Sequence, residues 1–423
     1  MLQHKAYKFR LIPNKEQSIL INKTLGCSRL IYNLLLNEKQ TNYKNKVKSK
    51  LTTEAQYKTQ YEFLKEVDSI ALQQSRIDLQ TSYTSFFKKL KSGIIQKEVS
   101  KLLSKAKTDK QKAKALNYGK PKFKSKRNSK NSYRTLSQNN SIRIENNKIK
   151  LPKLGFISFK KSREIPNNIK SVTITKNILN KYYISILVEE DIKPLSINDN
   201  KIGIDLGIKD FCIDSNSNKT SNPKYLYKYS KRLAKAQKKL SKRKKGSNNH
   251  FKQRKTVFKI YEKISNLRND FLQKLSSTLI NENQVISLET LKVKNMVKNH
   301  KLSKSIHDCS WSKFIELLLY KAKWYNKTII QINTFFPSSK LCHVCGYKHD
   351  TLELKDRTWV CPNCKTVHDR DINAAINILN EGLRILSCML NEENCEIKNT
   401  KKTKNRRDDG VSLLNKQTQV CCS

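Results

Sequence analysis

The amino-acid sequence predicts a multidomain α+β protein, and three patterns carry that reading. Apolar residues recur at helical spacing through the N-terminal quarter, strict alternation replaces it near the middle, and the C-terminal half alternates short apolar strands with long helices around four paired cysteines. At 423 residues the chain has room for two or three domains, and an apolar share of 37% gives each enough for a core.

The opening stretch Ala6 to Leu11 reads as a strand. A helix follows from Asn14, with Gln17 three residues on as a capping box, and Leu20, Thr24, Cys27, Ile31 and Leu34 fall on one face. Leu72, Leu79, Tyr83, Phe86 and Leu90 repeat the spacing, which predicts a helical segment to about residue 118 with lysine-rich outer sides. The period then changes. Ile142 and Ile144 precede a turn at Asn146 and Asn147, and Tyr182, Ile184, Ile186 and Val188 alternate, so antiparallel strands in a small barrel or sheet are expected, which the opening strand could join. After a polar linker at 194–200, IGIDLGIKDF reads as a short buried strand with Asp205 in its middle. A very basic helical stretch spans roughly 225–282, and VISLE then ends a second apolar strand on Glu289. Trp311, Ile315, Leu318, Ala322 and Tyr325 mark a helix, TIIQINTFF another strand, and Ile372, Ala375, Ile376 and Leu379 the apolar face of a last helix. Its first turn holds Asp371, where the helix dipole favours an acid.

Two Cys-x-x-Cys turns, fifteen residues apart, supply Cys342, Cys345, Cys361 and Cys364. That spacing suits one tetrahedral zinc held by four thiolates, with no position open for water, so the expected zinc is structural. A disulfide pair is the competing reading, and a lysine-rich chain without a secretory signal argues for a reducing compartment instead. Gly346 and Pro362 suit tight knuckles, whereas Lys365 stands where glycine is expected. His343, His349 and His368 lie nearby but face a completed shell. Cys27, Cys212, Cys309, Cys388, Cys395, Cys421 and Cys422 show no metal spacing that assigns them a role.

Charge sets the partner class. Lys and Arg number 86 against 35 Asp and Glu, a net of +51. Such a field requires a polyanion, and several basic runs distributed along the chain suggest a nucleic-acid channel and not a single tail. GKPKFKSKRNSK from Gly119 makes Lys120, Lys122 and Lys124 candidate contacts, with Tyr118, Phe123 and Tyr133 interleaved for stacking or for packing. No stretch approaches membrane-spanning length, so a soluble, cytoplasmic protein is expected. The segment from Asn391 has low apolar content and is expected to be a disordered tail over 391–423.

In so acid-poor a chain, Asp205, Glu289 and Asp371 invite a common reading. Singly each has an ordinary role, as a turn former, a strand end and an N-cap. Together, at two strand positions and a helix start, they match the few oxygens that two Mg²⁺ ions need around a scissile phosphate.

The segments IGIDLG, VISLETLKVKNM, NHKLSKSI, WSKF, FFPSSKLCHVCGY, CPNCK and HDRDINAAINIL, in this order, resemble TnpB, the OrfB family of bacterial insertion sequences. KAYKFRLIPNKEQ, GCSRLIYN, GKPKFKSK and SYRT extend the likeness to the N-terminal half. The resemblance implies a wedge-like β-barrel (1–13 and 119–195) carrying a helical recognition lobe (14–118). An RNase H-like RuvC domain (196–340 and 365–390, with a helical insertion at about 225–282) would follow, with an inserted zinc ribbon (341–364). It implies an RNA-guided endonuclease that cuts double-stranded DNA beside a short motif, using a guide RNA from the transposon end and two Mg²⁺ in one site. Asp205, Glu289 and Asp371 carry over as metal ligands, the four cysteines as zinc ligands, and a monomeric protein in the RNA complex is implied. Asp369 competes for the third place, but the family's Asp-x-Asn-Ala-Ala pattern selects Asp371. Arg370 is a candidate substrate contact, and Gln73 and Gln74 are candidates for reading the flanking motif. A compact type V CRISPR effector shares the plan, and a nuclease-dead guided repressor would keep the charge and zinc but lose the acids. A cut-and-paste transposase or junction resolvase would not place the cysteines just before the last acid.

Overall fold

A computed structural model describes residues 2–47, 50–126, 131–353 and 355–402. It divides into two compact units, Met1–Ile192 with Lys242–Lys259, and Lys193–Ser241 with Ile260–Ser423.

The first unit opens with β1 (Leu2–Ile12), α1 (Lys15–Lys44), α2 (Glu54–Gln60), α3 (Ser69–Lys91), α4 (Ile94–Leu103) and α5 (Asp109–Leu116). Six strands follow: β2 (Ser132–Leu136), β3 (Arg143–Glu145), β4 (Lys148–Leu151), β5 (Gly155–Phe159), β6 (Ile169–Lys176) and β7 (Tyr182–Asp191). Asn14 caps α1 through the expected box, its side chain accepting from the Gln17 N–H at 2.8 Å while Gln17 accepts from the Asn14 N–H at 3.1 Å. The strands form one antiparallel sheet in the order β2-β6-β7-β1-β5-β4-β3, with β1 paired along nearly its whole length to β7. Among the described residues β2 and β3 are its end strands, so the ladder itself is open. Tyr7, Phe9, Ile184 and Ile186 fill its inner face together with Ile21 and Leu25 of α1. Farther along α1, Ile31, Leu35 and Leu36 pack on Tyr57, Leu72 and Leu79 of α2 and α3. The stripe on α1 therefore runs through Ile21 and Leu35, while the expected Leu20 and Leu34 sit at its margin, half-buried.

The second unit holds β8 (Lys201–Leu206), β9 (Asp210–Asp214), β10 (Lys219–Ser221), α6 (Tyr225–Lys228), α7 (Ser230–Ser241) and the end of α8 (Asn248–Glu282). Beyond these come β11 (Val285–Glu289), α9 (Val293–Met296), α10 (Ser303–Cys309), α11 (Trp311–Tyr325), β12 (Thr328–Ile332), β13 (Thr358–Val360), β14 (Val367–Asp369) and α12 (Arg370–Lys402). Its sheet runs β10-β9-β8-β11-β12, antiparallel among the first three strands and parallel from β8 to β12. Ile202, Ile204, Ile286 and Leu288 point one way into a core with Leu272 and Ile280 of α8 and Phe314 and Leu318 of α11. Helix α12 covers the other face, giving helices on both sides of a mixed sheet. The backbone of α12 continues past Leu390 to Lys402, and the rest of the expected tail, 403–423, lies outside the described residues.

Candidate active site and cysteine centre

Side chains alternate along a strand, so Gly203 and Asp205 of β8 share the face opposite the core, as do Ser287 and Glu289 of β11. The parallel register pairs Leu288 with Ile204, which sets Glu289 beside Asp205 at the carboxyl ends of the two strands. Helix α12 approaches this face more closely than any side chain would permit. A Cβ at Gly203 would stand 2.1 Å from the Ala375 carbonyl oxygen, and one at Gly382 would stand 2.0 Å from Ser287 Oγ. These two glycines seat α12 across both strands, and its first turn brings Asp371 to the same edge.

The charges register the convergence. Loss of water pushes the half-buried Asp205 carboxyl up to about 7, and the neighbouring carboxylates of Glu289 and then Asp371 push in the same direction. Such a like-charged group calls for a cation, and its all-oxygen donors suit Mg²⁺. The three do not bring their oxygens within the 4.8 Å that the cysteine thiols satisfy.

Asp369, and not Asp371, caps the last helix. Its Oδ1 accepts from the Asp371 and Ile372 N–H groups at 3.0 and 3.3 Å, and its Oδ2 accepts from Lys219 at 2.7 Å. That occupies Asp369 and leaves the N-cap reading of Asp371 without a basis. Asp371 itself accepts from Arg357 Nη1 with both oxygens, at 3.1 and 3.0 Å. Glu289 Oε1 accepts from the Ser338 hydroxyl at 2.6 Å. The backbone N–H of Arg370 donates to the Arg357 carbonyl and its Nη1 to that of Glu353, turning it toward the cysteine hairpin.

Cys342, Cys345, Cys361 and Cys364 place all four Sγ atoms within 4.8 Å of one another. Opposite pairs stand 3.5 and 3.6 Å apart, close to the roughly 3.8 Å that tetrahedral zinc with bonds of about 2.3 Å requires. The two turns are built alike. Gly346 N–H donates to the Cys342 carbonyl and Lys365 N–H to that of Cys361, with both residues left-handed at φ +73° and +60°. Lys365 thus adopts the glycine conformation without being glycine. His368 is buried with Nε2 3.1 Å from Cys342 Sγ, His343 Nδ1 is 3.0 Å from Asn373 Oδ1, and His349 packs edge-on against Trp359. None of the three belongs to the thiol cluster. The hairpin's own apolar cluster is small, with Leu352 and Trp359 packed on Cys342 and Cys361.

Asn373 and Asn377, one turn apart on α12, are buried polar residues that the apolar pattern of that helix does not announce. Asn373 Nδ2 and Asn377 Nδ2 both donate to the Leu341 carbonyl at 2.7 Å, Asn377 also reaches the Ser338 carbonyl at 2.8 Å, and Asn373 Oδ1 accepts from the His343 N–H at 3.1 Å.

The candidate nucleic-acid contacts differ in exposure. Gln73, Lys120 and Lys122 are exposed. Gln74 is 4% exposed within the packing of α3, which withdraws it from direct contact in this form. Lys124 lies 3.8 Å from the centre of the Tyr32 ring and 3.8 Å from Asp78, its backbone exchanges two hydrogen bonds with Asn33, and burial lowers its pKa. Among the described residues no helix is long and apolar enough to cross a membrane.

Comparison with known proteins bears on this architecture. A family model described as "Probable transposase" matches residues 184–300, and one described as "Cas12f1-like, TNB domain" matches 311–378. A protein of Streptomyces pristinaespiralis named "Putative RNA-guided DNA endonuclease" is 34% identical over 91% of this chain and 90% of its own length. Two "TnpB-like" proteins of Acanthamoeba polyphaga mimivirus are 28% identical over 54% of this chain and 46% of their own. The chain belongs to the TnpB family. Within the family, InsQ of Escherichia coli K12 is 27% identical over 92% of this chain and 94% of its own. A cryo-EM structure of a Cas12f1-sgRNA-target DNA complex overlaps 89% of this chain and 98% of that one at 14% identity and a TM-score of 0.49, too weak a likeness to argue from. A third family model, described as a helix-turn-helix domain, matches residues 1–48. Among the described residues that span holds a strand and one continuous helix, α1, with no turn between two helices.

Proposed function

We propose that this member of the TnpB family is an RNA-guided DNA endonuclease in which Asp205, Glu289 and Asp371 form the cutting site. The observation that carries the reading is the meeting of these three acids, from β8, β11 and α12, at one strand edge of a chain with a net charge of +51. Asp205, Glu289 and Asp371 would hold two Mg²⁺ ions, which when bound activate water and stabilise charge on the scissile phosphate and the leaving 3′ oxygen. The chain's own part is to fix the three carboxylates on two strands and a helix, with Gly203 and Gly382 setting the depth of that helix. Arg357 and Lys219 balance the acids beside it, and the thiolates of Cys342, Cys345, Cys361 and Cys364 would hold one structural zinc that folds the hairpin leading into α12.

Guide pairing would supply sequence specificity, while exposed lysines such as Lys120 and Lys122 hold nucleic acid by backbone charge, and Gln73 is a candidate for the flanking motif. The same reading places a single protein copy on one guide RNA, acting on double-stranded DNA in the bacterial cytoplasm.

The test is to express the chain with its flanking genomic DNA, sequence the RNA that copurifies, and challenge that complex with a target library of randomised flanks in Mg²⁺. A discrete RNA whose 3′ segment directs cleavage beside one enriched motif is expected, and its origin separates a transposon end from a CRISPR array. A discrete RNA that directs binding without cutting would point to a guided repressor, and no discrete RNA would end the guided reading.

A further inference from the structure

Ser338 lies in the FFPSSKLC segment, four residues before the first metal-type cysteine and 49 residues from Glu289. It is 5% exposed. Its hydroxyl donates to Glu289 Oε1 at 2.6 Å, and its carbonyl accepts from Asn377 Nδ2 at 2.8 Å. Asn377 belongs to the helix that carries Asp371, and it shares the Leu341 carbonyl with Asn373. Glu289 and the helix that carries Asp371 are thus tied through one serine. A short hydrogen bond to one oxygen of a carboxylate holds its rotamer and leaves Oε2 open to a cation.

We infer that Ser338 is a positioning residue for Glu289, presenting its free oxygen to a divalent cation and coupling it through Asn377 to the helix of Asp371. The inference rests on the endonuclease reading for its consequence, but the contact can be judged without cleavage. Hydrogen bonds behind a metal ligand typically contribute about 10–100-fold in metal affinity. Replacing Ser338 by alanine should therefore raise the Mg²⁺ concentration for half-maximal cleavage about tenfold, with the rate at saturating Mg²⁺ largely recovered. Ser338→Thr keeps the donor and should restore the wild-type midpoint.

The second readout uses the full chain without RNA, loaded with zinc. Mn²⁺ is titrated in and free ion is followed by electron paramagnetic resonance, with the Asp205→Asn protein as the blank for other sites. Ser338→Ala should weaken the difference binding about tenfold. A purely structural role for Ser338 would lower the active fraction and leave both midpoints in place, and that result overturns the inference. Unchanged midpoints at full activity overturn it equally. Should the alanine variant not fold, Ser338→Cys, close in size with a weak donor, replaces it with the same expectations. If the wild-type complex cuts no guide-matched DNA, the endonuclease reading fails, and the Mn²⁺ titration still decides the role of Ser338.

Discussion

Asp205→Asn separates the chemistry of the carboxylate group from its folding. Burial and the two neighbouring acids raise this carboxyl from 3.8 to about 7. Below about pH 4 both folded and unfolded chains hold the proton and the aspartate costs nothing. Between there and pH 7 the unfolded chain has released it while the folded chain retains it, so wild-type stability falls as pH rises and levels off above pH 7. Three units correspond to about 4 kcal/mol, and relaxation with water entry around the partly exposed group reduces that to roughly 2 kcal/mol. At about 2–4 °C per kcal/mol for a unit of this size, asparagine should melt about 4–8 °C above wild type at pH 8. The gap should nearly close at pH 4.5. Melting is followed on the RNA-free, zinc-loaded protein in magnesium-free buffer without chelator, so that the cysteine centre keeps its metal. Added Mg²⁺ should stabilise wild type at pH 8 and leave the variant unmoved. The variant should bind guide-matched DNA and not cut it. A melting difference independent of pH, or an asparagine protein less stable at pH 8, would refute the claim that three acids crowd at one edge without a cation.

Gly203→Ala sets a methyl against the backbone oxygen of Ala375, which no side-chain rotation relieves, so α12 must lift; a loss of about 1–3 kcal/mol in thermal melting and of most cleavage is expected, and an active variant of normal stability would contradict the glycine seat. Cys361→Ser should release zinc, read by atomic emission, with a red shift of Trp359 fluorescence and loss of cleavage, because Leu352 and Trp359 are too small a core to hold the hairpin alone; a metal-free, fully active protein would remove zinc's structural role. Lys365→Gly relieves a left-handed residue at a cost of about 1 kcal/mol, which should raise the chelator concentration that strips zinc about fivefold; easier stripping would show that the lysine itself supports the knuckle.

Local rules made parts of this molecule legible. The capping box at Asn14, the turn at Asn146 with its φ of +52°, and the two cysteine turns are each decided by a few adjacent residues, and their spacing shows it. Asp205 stands out in the sequence because an acid inside an apolar strand is an expensive exception, and Glu289 because it closes a second apolar strand. What stayed hidden depends on residues that meet only after folding. Nothing local marks Gly203 and Gly382 as a seat, since a strand glycine and a helix glycine read as weak points until the helix crosses the strands. Ser338 looks like a loop serine, although Asn373 and Asn377 leave a faint mark as two asparagines one turn apart beside the apolar face of the last helix. Gln74 misleads for the complementary reason, because α3 buries two adjacent polar residues, Gln74 and Ser75, among its apolar ones.

Strand β14 runs directly into α12 at Asp369 and Arg370, with no linker between hairpin and helix. Followed in the direction of synthesis, Asp205 and Glu289 emerge from the ribosome long before Asp371, and Gly382, the second of the two glycines that seat the last helix, emerges later still. A nascent chain already holds both strands of the cutting edge yet lacks the third acid and the knuckle that folds next to it. On the endonuclease reading, a product stalled or terminated before Asp371 is harmless to the chromosome, and a cell making this protein meets its cutting power only in chains translated past the last helix's seat at Gly382.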